Sequence, residues 1–367
     1  MNDLYYIIRI WITLLAKPVL EVERILNEVY GSIENAWFES ENTSGLLRFE
    51  KEVLNQRIYD NKIKEKAINI YDRCKSDNIK IITSHCKNYP QNLSYVDNKP
   101  YVMYYRGILP SEKGIDDSNL ISIVGSRHCS AYGRLIAYKF SNALSRCGLG
   151  IVSGMARGID SEAHNGSLMA NGYTVAVLGS GIDKVYPKEN IRLYNKIAET
   201  GCVISEYFPG FPVYKSNFPA RNRIISGLSK GILVVEATEN SGAMITVNTA
   251  INQGRTVMAV PGNINSENSA GCNLLIRDGA ILITSYGEIL DEFNIKYKDN
   301  SDFDVWIKGL SGSEADVVKA IIKGNYTAND ISVFTKRNAG NILSTLTMLE
   351  IKGIVSKGLD GAYKVNK

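Results

Sequence analysis

Short, uninterrupted runs of apolar residues alternate with helical patterns through the middle of the chain. The runs lack the polar alternation of a half-exposed strand, which predicts strands that are covered on both faces. Helical patterns, such as those at 134–147 and 191–200, lie between the runs. This alternation predicts an α/β fold with a Rossmann-like, doubly wound parallel sheet. The predicted strands are 120–124, 150–152, 174–178, 202–204, 232–235, 256–260 and 281–283.

The N-terminal region, residues 1–75, shows helical periodicity instead. It predicts two amphipathic helices, and Gly31 stands where the second should end, in the position of a C-cap. We interpret this region as a SAM-like helical domain, a kind of interaction module that carries no visible chemistry. The apolar positions are Ile7, Ile10, Trp11, Leu14 and Leu15 in the first helix and Val22, Ile25, Leu26 and Val29 in the second.

The apolar stretch 4–15 is shorter than the roughly 20 residues that a membrane-spanning helix requires. It also lacks the basic start and the small-residue cleavage site of a signal peptide, since Asp3 precedes it without a nearby Lys or Arg. We therefore expect a buried helix and no association with a membrane.

A polar stretch at 296–311 predicts a linker that precedes a last domain, 312–367. Apolar periodicity predicts three helices in this domain, the second of them capped by Thr327. Two short apolar segments then flank Asp360 and Gly361, which is a strong hairpin signal. Three helices and a hairpin predict a winged helix. Its third helix carries few basic residues, so protein contact and weak DNA-backbone contact stay open beside base reading.

The 367 residues are enough for two or three domains, and the Rossmann-like domain with a short lead-in takes 76–295. The formal net charge is only +4, so a nucleic-acid surface requires local clustering of Lys and Arg. None of the six cysteines has CxxC or zinc-finger spacing. We expect reduced thiols in a cytoplasmic protein, without a metal or a cofactor.

Glycine-bearing loops follow the first strands of the predicted sheet. Gly125, Ser126 and Arg127 follow the first strand, and Gly154 opens the loop after the second. Ligands bind beyond the carboxyl ends of such strands, and the free N–H groups of a following helix suit a phosphate. Arg127 adds a permanent charge with forked donors, although a surface salt bridge is an equal alternative for it.

A third loop carries Gly179 and Gly181 and leads to Lys188, a weaker candidate for phosphate contact. Three such loops are expected to line one edge of the sheet. His164 lies inside a predicted helix without a suitably spaced carboxylate or Cys, so we interpret it as packed or capping and not catalytic. Glu236 either holds a ribose hydroxyl or caps a loop, and we favour the structural role.

The stretch 215–223 combines basic and aromatic residues, namely Lys215, Phe218, Arg221 and Arg223. Basic groups follow a phosphate backbone, and an aromatic ring offers a surface for an unstacked base. Their combination predicts binding of single-stranded nucleic acid. The alternative is a solvated helix start with Phe218 in the core.

Together these motifs closely resemble the DprA/Smf family of DNA-processing proteins. The matching strings occur in order along the central domain, and the helical N-terminal region and winged-helix tail fit the longer members of the family. The strings are VGSR, SGMARGID with AH, LGSGID with YPKEN, ISEY, FPARNRIISGLS, VVEA, SGAMIT, VPGN and GCNLLI.

The resemblance implies a protein that binds incoming single-stranded DNA, protects it, helps to displace single-strand-binding protein, and loads RecA during natural transformation. It also implies a homodimer formed through the Rossmann-like domain, and no established catalytic reaction. By motif, Arg127 should contact phosphate, Lys215 should hold the backbone, Phe218 should stack on a base, and Arg221 and Arg223 should line the same groove. The predicted DNA-binding residues are Arg127, Lys215, Phe218, Arg221, Arg223, Lys188, Gly125, Ser126 and Gly154.

Two other functions are compatible with parts of the sequence. A nucleotide-binding or phosphoribohydrolase-like enzyme would use the same glycine loops, but it would also carry a catalytic Glu signature beside a PGGxGT-type loop. The chain has neither, and SGAMIT is at most a partial match. A transcription regulator would use the winged helix on duplex DNA and the Rossmann-like domain as a sensor.

Overall fold

The computed structural model describes residues 3–39, 54, 57–295, 310–322, 325–358 and 361–365. Contacts divide the chain into two compact units, residues 1–296 and 297–367. The strands are β1 (Lys80–Thr83), β2 (Val102–Gly107), β3 (Leu120–Val124), β4 (Gly150–Ser153), β5 (Thr174–Leu178), β6 (Cys202–Ser205), β7 (Gly231–Val234), β8 (Thr256–Ala259), β9 (Ile281–Leu282), β10 (Val355–Lys357) and β11 (Tyr363–Val365).

The helices are also numbered in the order of the chain. They are α1 (Asp3–Leu15), α2 (Val19–Tyr30), α3 (Ile33–Glu39), α4 (Asn61–Ser76), α5 (Gln91–Ser94), α6 (Ala131–Arg146), α7 (Ile159–Met169), α8 (Ile191–Thr200), α9 (Asn217–Leu228), α10 (Gly242–Asn252), α11 (Glu267–Arg277), α12 (Tyr286–Glu292), α13 (Gly312–Ile322), α14 (Ala328–Thr335) and α15 (Ala339–Ile351). Within the described ranges, no helix is long and apolar enough to span a membrane.

The first unit is built on a nine-stranded sheet with the order β1-β2-β6-β5-β4-β3-β7-β8-β9. The seven strands from β3 to β9 are all parallel to one another. All seven predicted strands are present, with ends that differ by at most one residue, so the α/β fold with a large parallel sheet is confirmed. Every residue of β3 and β5 is buried, as the unbroken apolar runs indicate.

The strand order reverses at β3, which lies between β4 on one side and β7 on the other. Loops that leave the carboxyl ends of neighbouring strands therefore come together at one edge of the sheet, where open α/β proteins bind ligands. β2 extends the sheet beyond β6 in the antiparallel direction, and β1 pairs with β2. Both strands lie in the stretch that was predicted as a short lead-in, and β1 was missed.

The N-terminal helices pack on the sheet and share its hydrophobic core. Trp11 of α1 is fully buried in a cluster that also contains Tyr104 of β2 and Leu178 of β5. Gly31 ends α2 with a left-handed backbone, as predicted for a C-cap. The predicted boundary near residue 75 therefore does not separate two compact units, because the apolar faces of these helices are buried against the strands.

The second unit contains α13, α14, α15 and a two-stranded antiparallel sheet of β10 and β11. Its core is formed by apolar residues of all three helices, including Val317, Ile331 and Leu346. Thr327 caps α14 as predicted, and its hydroxyl accepts a hydrogen bond from the Asp330 N–H at 3.2 Å. The predicted linker up to residue 309, and Asp360 of the hairpin turn, lie outside the described residues.

Candidate nucleic-acid interface

A small cleft opens at the carboxyl edge of the sheet, where the loops after β3, β4 and β5 meet the start of α9. We call it the Phe218 cleft, and its volume is about 50 Å³. Pro219 lies in the first turn of α9, where a missing N–H is tolerated, so the helix begins here with Phe218 at its exposed end. The lining residues are Arg127, Gly154, Ala156, Arg157, Tyr186, Pro187, Phe218 and Arg221.

Arg127 and Phe218, which the sequence analysis assigned to one site, meet in this cleft. The guanidinium carbon of Arg127 lies 5.6 Å from the Phe218 ring centroid, within the range of a cation–π contact. The Arg127 side chain is exposed, and no ion-pair partner engages it among the residues that the structure describes. A second ring, that of Tyr186, lies 5.5 Å from the Phe218 ring and is half exposed. The cleft therefore combines an unpaired cation with an accessible aromatic surface.

Arg221 supports the Phe218 cleft from below and is almost completely buried. Its Nη1 donates to the Gly154 carbonyl at 2.8 Å and also to the Val177 carbonyl. Its guanidinium carbon is 6.0 Å from the Phe218 ring centroid. Burial lowers the pKa of Arg221 to about 10, so the group keeps its charge at neutral pH. Because Nη1 donates to two backbone carbonyls and Nε to the Asn222 side chain, buried Arg221 positions the cleft and leaves the exposed cationic role to Arg127.

Gly154 leaves the space that this buried arrangement needs. A Cβ atom on Gly154 would lie 2.8 Å from Arg221 Nη2 and 2.8 Å from Asp160 Oδ2. The Asp160 carboxylate is buried and accepts hydrogen bonds from the N–H groups of Gly154, at 3.1 Å, and Ala156, at 3.3 Å. Burial raises the pKa of Asp160, and the nearby Arg221 charge opposes that shift.

Several of the N–H groups that were expected to bind a phosphate are already occupied by the protein itself. The Glu236 carboxylate accepts from both the N–H and the hydroxyl of Ser130, the cap of α6, at 2.8 and 2.6 Å. Ser126 is buried, and its N–H donates to the Glu236 carbonyl at 2.7 Å. Four N–H groups that were expected to be free are therefore occupied. Glu236, distant in sequence, accepts from Ser126 and Ser130, and Asp160, at the start of α7, accepts from Gly154 and Ala156. Glu236 has the loop-capping role that the sequence analysis favoured.

The loops after β3 and β4 also pack tightly against each other. Gly158 caps α7 with a φ of 75°, and a side chain there would collide with the Ser126 and Arg127 carbonyls. The Ile159 N–H donates to the Ser126 carbonyl at 3.3 Å. A Cβ atom on Gly125 would lie 2.6 Å from the Glu236 carbonyl oxygen. Gly125, Ser126 and Gly154 thus shape the cleft through close backbone packing.

Arg223 does not line the Phe218 cleft, which corrects the expectation that Arg221 and Arg223 share a groove. Side chains that are two positions apart on a helix point in nearly opposite directions, because each residue turns the helix by about 100°. Arg223 instead donates to both carboxylate oxygens of Glu206, at 2.7 and 2.8 Å, and lines a second cleft beside the N-terminal helices.

Lys215 and Lys188 lie on segments next to the Phe218 cleft, and both side chains are exposed. Lys215 stands in the turn before α9, three residues ahead of Phe218. Lys188 begins a short 3₁₀ turn directly after Pro187, which lines the cleft. Neither lysine has an ion-pair partner within the described part of the chain. Neither lysine lines the cleft itself, so their contact with a bound strand stays a prediction.

The cleft side chains of Tyr186 and Arg157 were not predicted from the sequence, and neither was the role of buried Asp160 in holding the loop after β4. Arg157 forms an exposed ion pair with Glu189 that joins the loops after β4 and β5. His164, by contrast, is fully buried as a packing residue, and its Nδ1 lies 2.7 Å from the Thr174 hydroxyl. Burial lowers the pKa of His164 to about 3. The YPKEN string carried a signal for Tyr186, since it places an aromatic ring in a loop at the same sheet edge.

Comparisons with known proteins agree on one group. The family model described as DNA recombination-mediator protein A matches residues 80–294. Protein Smf of Synechocystis is 31% identical over 357 residues, which cover 89% of this chain and 90% of the relative. The X-ray structure of DNA processing protein A from Streptococcus pneumoniae is similar with a TM-score of 0.63 and 34% identity, over 81% of this chain and 99% of that one.

A further structural neighbour concerns nucleic acid directly. It is the structure of DNA processing protein A from Helicobacter pylori, described for its single-stranded DNA binding mode. It is similar with a TM-score of 0.53 and 26% identity, and the match covers 59% of this chain and all of that chain.

Proposed function

Because this chain belongs to the DNA recombination-mediator protein A family, we propose that it binds single-stranded DNA in the Phe218 cleft and acts as a recombination mediator. The observation that carries this proposal is the meeting of Arg127, Phe218 and Tyr186 at the carboxyl edge of the sheet. An unpaired cation attracts phosphate, and an exposed ring offers a stacking surface to a base that is not already paired in a duplex.

The occupied N–H groups support binding of a DNA strand over handling of a free nucleotide. A nucleotide enzyme of Rossmann type presents free N–H groups of a loop and helix start to the phosphates. Here Asp160 accepts from the N–H groups of the loop after β4, and Glu236 accepts from the cap of α6. Phosphate contact is left to exposed side chains at the rim, Arg127, Lys215 and Lys188, which suits a flexible polyanion. We infer a binding protein and not an enzyme.

For the wider role, we propose what the resemblance to the family implies. The protein would act in the cytoplasm, protect incoming DNA, help to displace single-strand-binding protein, and load RecA onto the strand. A homodimer through the Rossmann-like domain would carry two clefts. The helices and hairpin of residues 312–365 fit a winged helix, and the N-terminal helices fit a SAM-like module.

The experiment is a fluorescence-polarisation titration of single-stranded and duplex oligonucleotides across a salt series. We expect tighter binding of the single strand, little dependence on sequence, and affinity that falls steeply with salt. Lys215→Ala should weaken binding, whereas Arg277→Ala should not, because Arg277 ends α11 at the opposite edge of the sheet. Equal affinity for duplex and single strand, or unchanged binding by Lys215→Ala, would contradict the proposed site.

A further inference from the structure

A second and larger cleft lies between the N-terminal helices and the segment 206–216, which joins β6 to α9. We call it the Phe211 cleft and the segment the aromatic loop. Its volume of about 390 Å³ lies within the range of ligand sites in proteins. The lining includes Lys17, Lys99, Tyr207, Phe208, Phe211 and Arg223.

Within the aromatic loop, neighbouring rings lead from the Phe211 cleft toward Lys215. The Tyr207 and Phe211 rings are 4.9 Å apart, and the Phe211 and Tyr214 rings are 5.9 Å apart. Tyr214 is half exposed and directly precedes Lys215, the rim lysine of the Phe218 cleft.

The loop after β5 packs against residues of both clefts. A Cβ atom on Gly179 would lie 2.8 Å from Phe218 Cδ1, and one on Gly181 would lie 2.9 Å from the Phe211 backbone nitrogen. Two residues of extended chain span roughly 7 Å at most. The Gly181 N–H donates to the Phe211 carbonyl, at 3.3 Å, and fixes the aromatic loop beside the loop after β5. The two clefts are therefore neighbours, on a scale that suits consecutive parts of one DNA strand.

The charges of the Phe211 cleft favour a polyanion. Lys17 is exposed at its mouth, and the Lys66 ammonium lies 5.1 Å from the Phe208 ring centroid. Among the lining residues that the structure describes, the one carboxylate is Glu206, which is already paired with Arg223. Arg223 Nη1 is buried and has no hydrogen-bond partner within the described structure. A small movement of the Arg223 side chain would let this donor reach an acceptor group in the cleft, such as a base carbonyl.

We propose that the Phe211 cleft is a second base-binding site, into which the single strand continues from the Phe218 cleft along the exposed side of Tyr214 and Lys215. This inference rests on the proposed function. It commits to the DNA strand as the occupant because the rings, the rim lysines and the unpaired Arg223 donor continue from the Phe218 cleft. It also assigns the N-terminal helices a role, since the turn between α1 and α2 forms one wall.

The test is a length series of oligothymidylates titrated against the full chain and two variants. Tyr207→Leu removes a ring face and keeps apolar bulk, and Lys17→Glu reverses an exposed charge that the fold does not need. For long oligonucleotides we expect each variant to weaken binding on the order of tenfold, the loss of one stacked base or of a close phosphate contact. For the shortest oligonucleotides, which fill only the Phe218 cleft, affinity should be unchanged. Lys113→Glu is the matched control, because Lys113 is exposed and lines neither cleft.

Cross-linking of 5-iodouracil-substituted strands gives a second measurement. We expect adducts on Tyr207 or Phe211 from positions several nucleotides away from those that react near Phe218. Wild-type affinity that does not grow with length, or variants that match the wild type at every length, would overturn the second site. Variants that bind every oligonucleotide like the wild type but no longer bind a partner protein would show that the cleft takes a protein instead. Failure of the wild type to bind any single strand would instead refute the proposed function itself.

Discussion

The Arg127 guanidinium carbon lies 5.6 Å from the centroid of the Phe218 ring, although Arg127 follows β3 and Phe218 lies in the first turn of α9. This contact orients a permanent cation and an aromatic face toward the same opening. The two groups make separable contributions to binding of a nucleic acid strand, one dependent on salt and one not.

Arg127→Ala should weaken binding of single-stranded DNA about tenfold and reduce its salt dependence. Loss of one phosphate contact lowers the slope of log affinity against log salt by about 0.7 for a single strand. A polarisation titration at four or more salt concentrations measures both effects. Arg277→Ala removes the same charge at the opposite sheet edge and should leave the slope unchanged. A variant with an unaltered slope would show that Arg127 does not contact phosphate.

Phe218→Leu should weaken binding by about 1–3 kcal/mol through loss of base stacking, with an unchanged salt slope. The Leu side chain keeps apolar contact with the Gly179 loop, so the fold should persist. The same titration reports affinity and slope together. Phe38→Leu provides the control, since Phe38 is an exposed ring at the end of α3, outside both clefts. Equal affinity of wild type and Phe218→Leu would exclude stacking on this ring.

Gly154→Ala should destabilise the fold by roughly 1–3 kcal/mol, because the added methyl group meets buried Arg221 and Asp160 at 2.8 Å. Displacement of Arg221 should also disturb Phe218 and weaken DNA binding. Urea unfolding followed by circular dichroism measures the free energy of unfolding. Gly242→Ala, where a Cβ atom would have open space, should be neutral or slightly stabilising. Equal stability of the two variants would contradict the close packing seen at Gly154.

His164 should make the protein less stable in acid. Burial lowers its pKa in the folded state to about 3, against about 6.5 in the unfolded chain. Between these values the unfolded state binds a proton that the folded state does not, so the free energy of unfolding falls as pH decreases from about 6.5. The contribution to the slope is about 1.4 kcal/mol per pH unit. His164→Asn keeps a polar atom near the Thr174 hydroxyl and should remove this part of the slope.

Urea unfolding of the wild type and His164→Asn at several pH values between about 4 and 7 measures the difference. Other groups titrate in both proteins alike, so the comparison isolates one proton. Parallel pH profiles would show that His164 takes up a proton in the folded state.

The sheet was predictable because its signal is local. Each parallel strand is an apolar run that is buried on both faces, and the glycines that end β3, β4 and β5 mark the edge where the cleft forms. Arg127, Gly154 and Phe218 could be assigned to one edge on that basis alone. β1 was missed because four residues paired only with β2 carry little periodicity.

The parts that could not be predicted depend on distant contacts or on helix phase. Glu236 reaches Ser130 across 106 positions of sequence, so no local pattern shows that the start of α6 is occupied. Arg221 and Arg223 look equivalent in the sequence, but the phase of α9 buries one beneath Phe218 and directs the other to Glu206. Tyr186 joins Phe218 only because the loop after β5 folds back toward α9.

The interlocked loops after β3 and β4 have a consequence for the kinetics of binding. Gly158 packs against the Ser126 carbonyl and Glu236 accepts from the cap of α6, so the backbone that shapes the cleft is already held in place before a strand arrives. The entropy lost on association then comes mainly from the incoming polymer, which is flexible before it docks. Capture should proceed at a rate set by electrostatic encounter, and the residence time should depend on how many bases are seated at once.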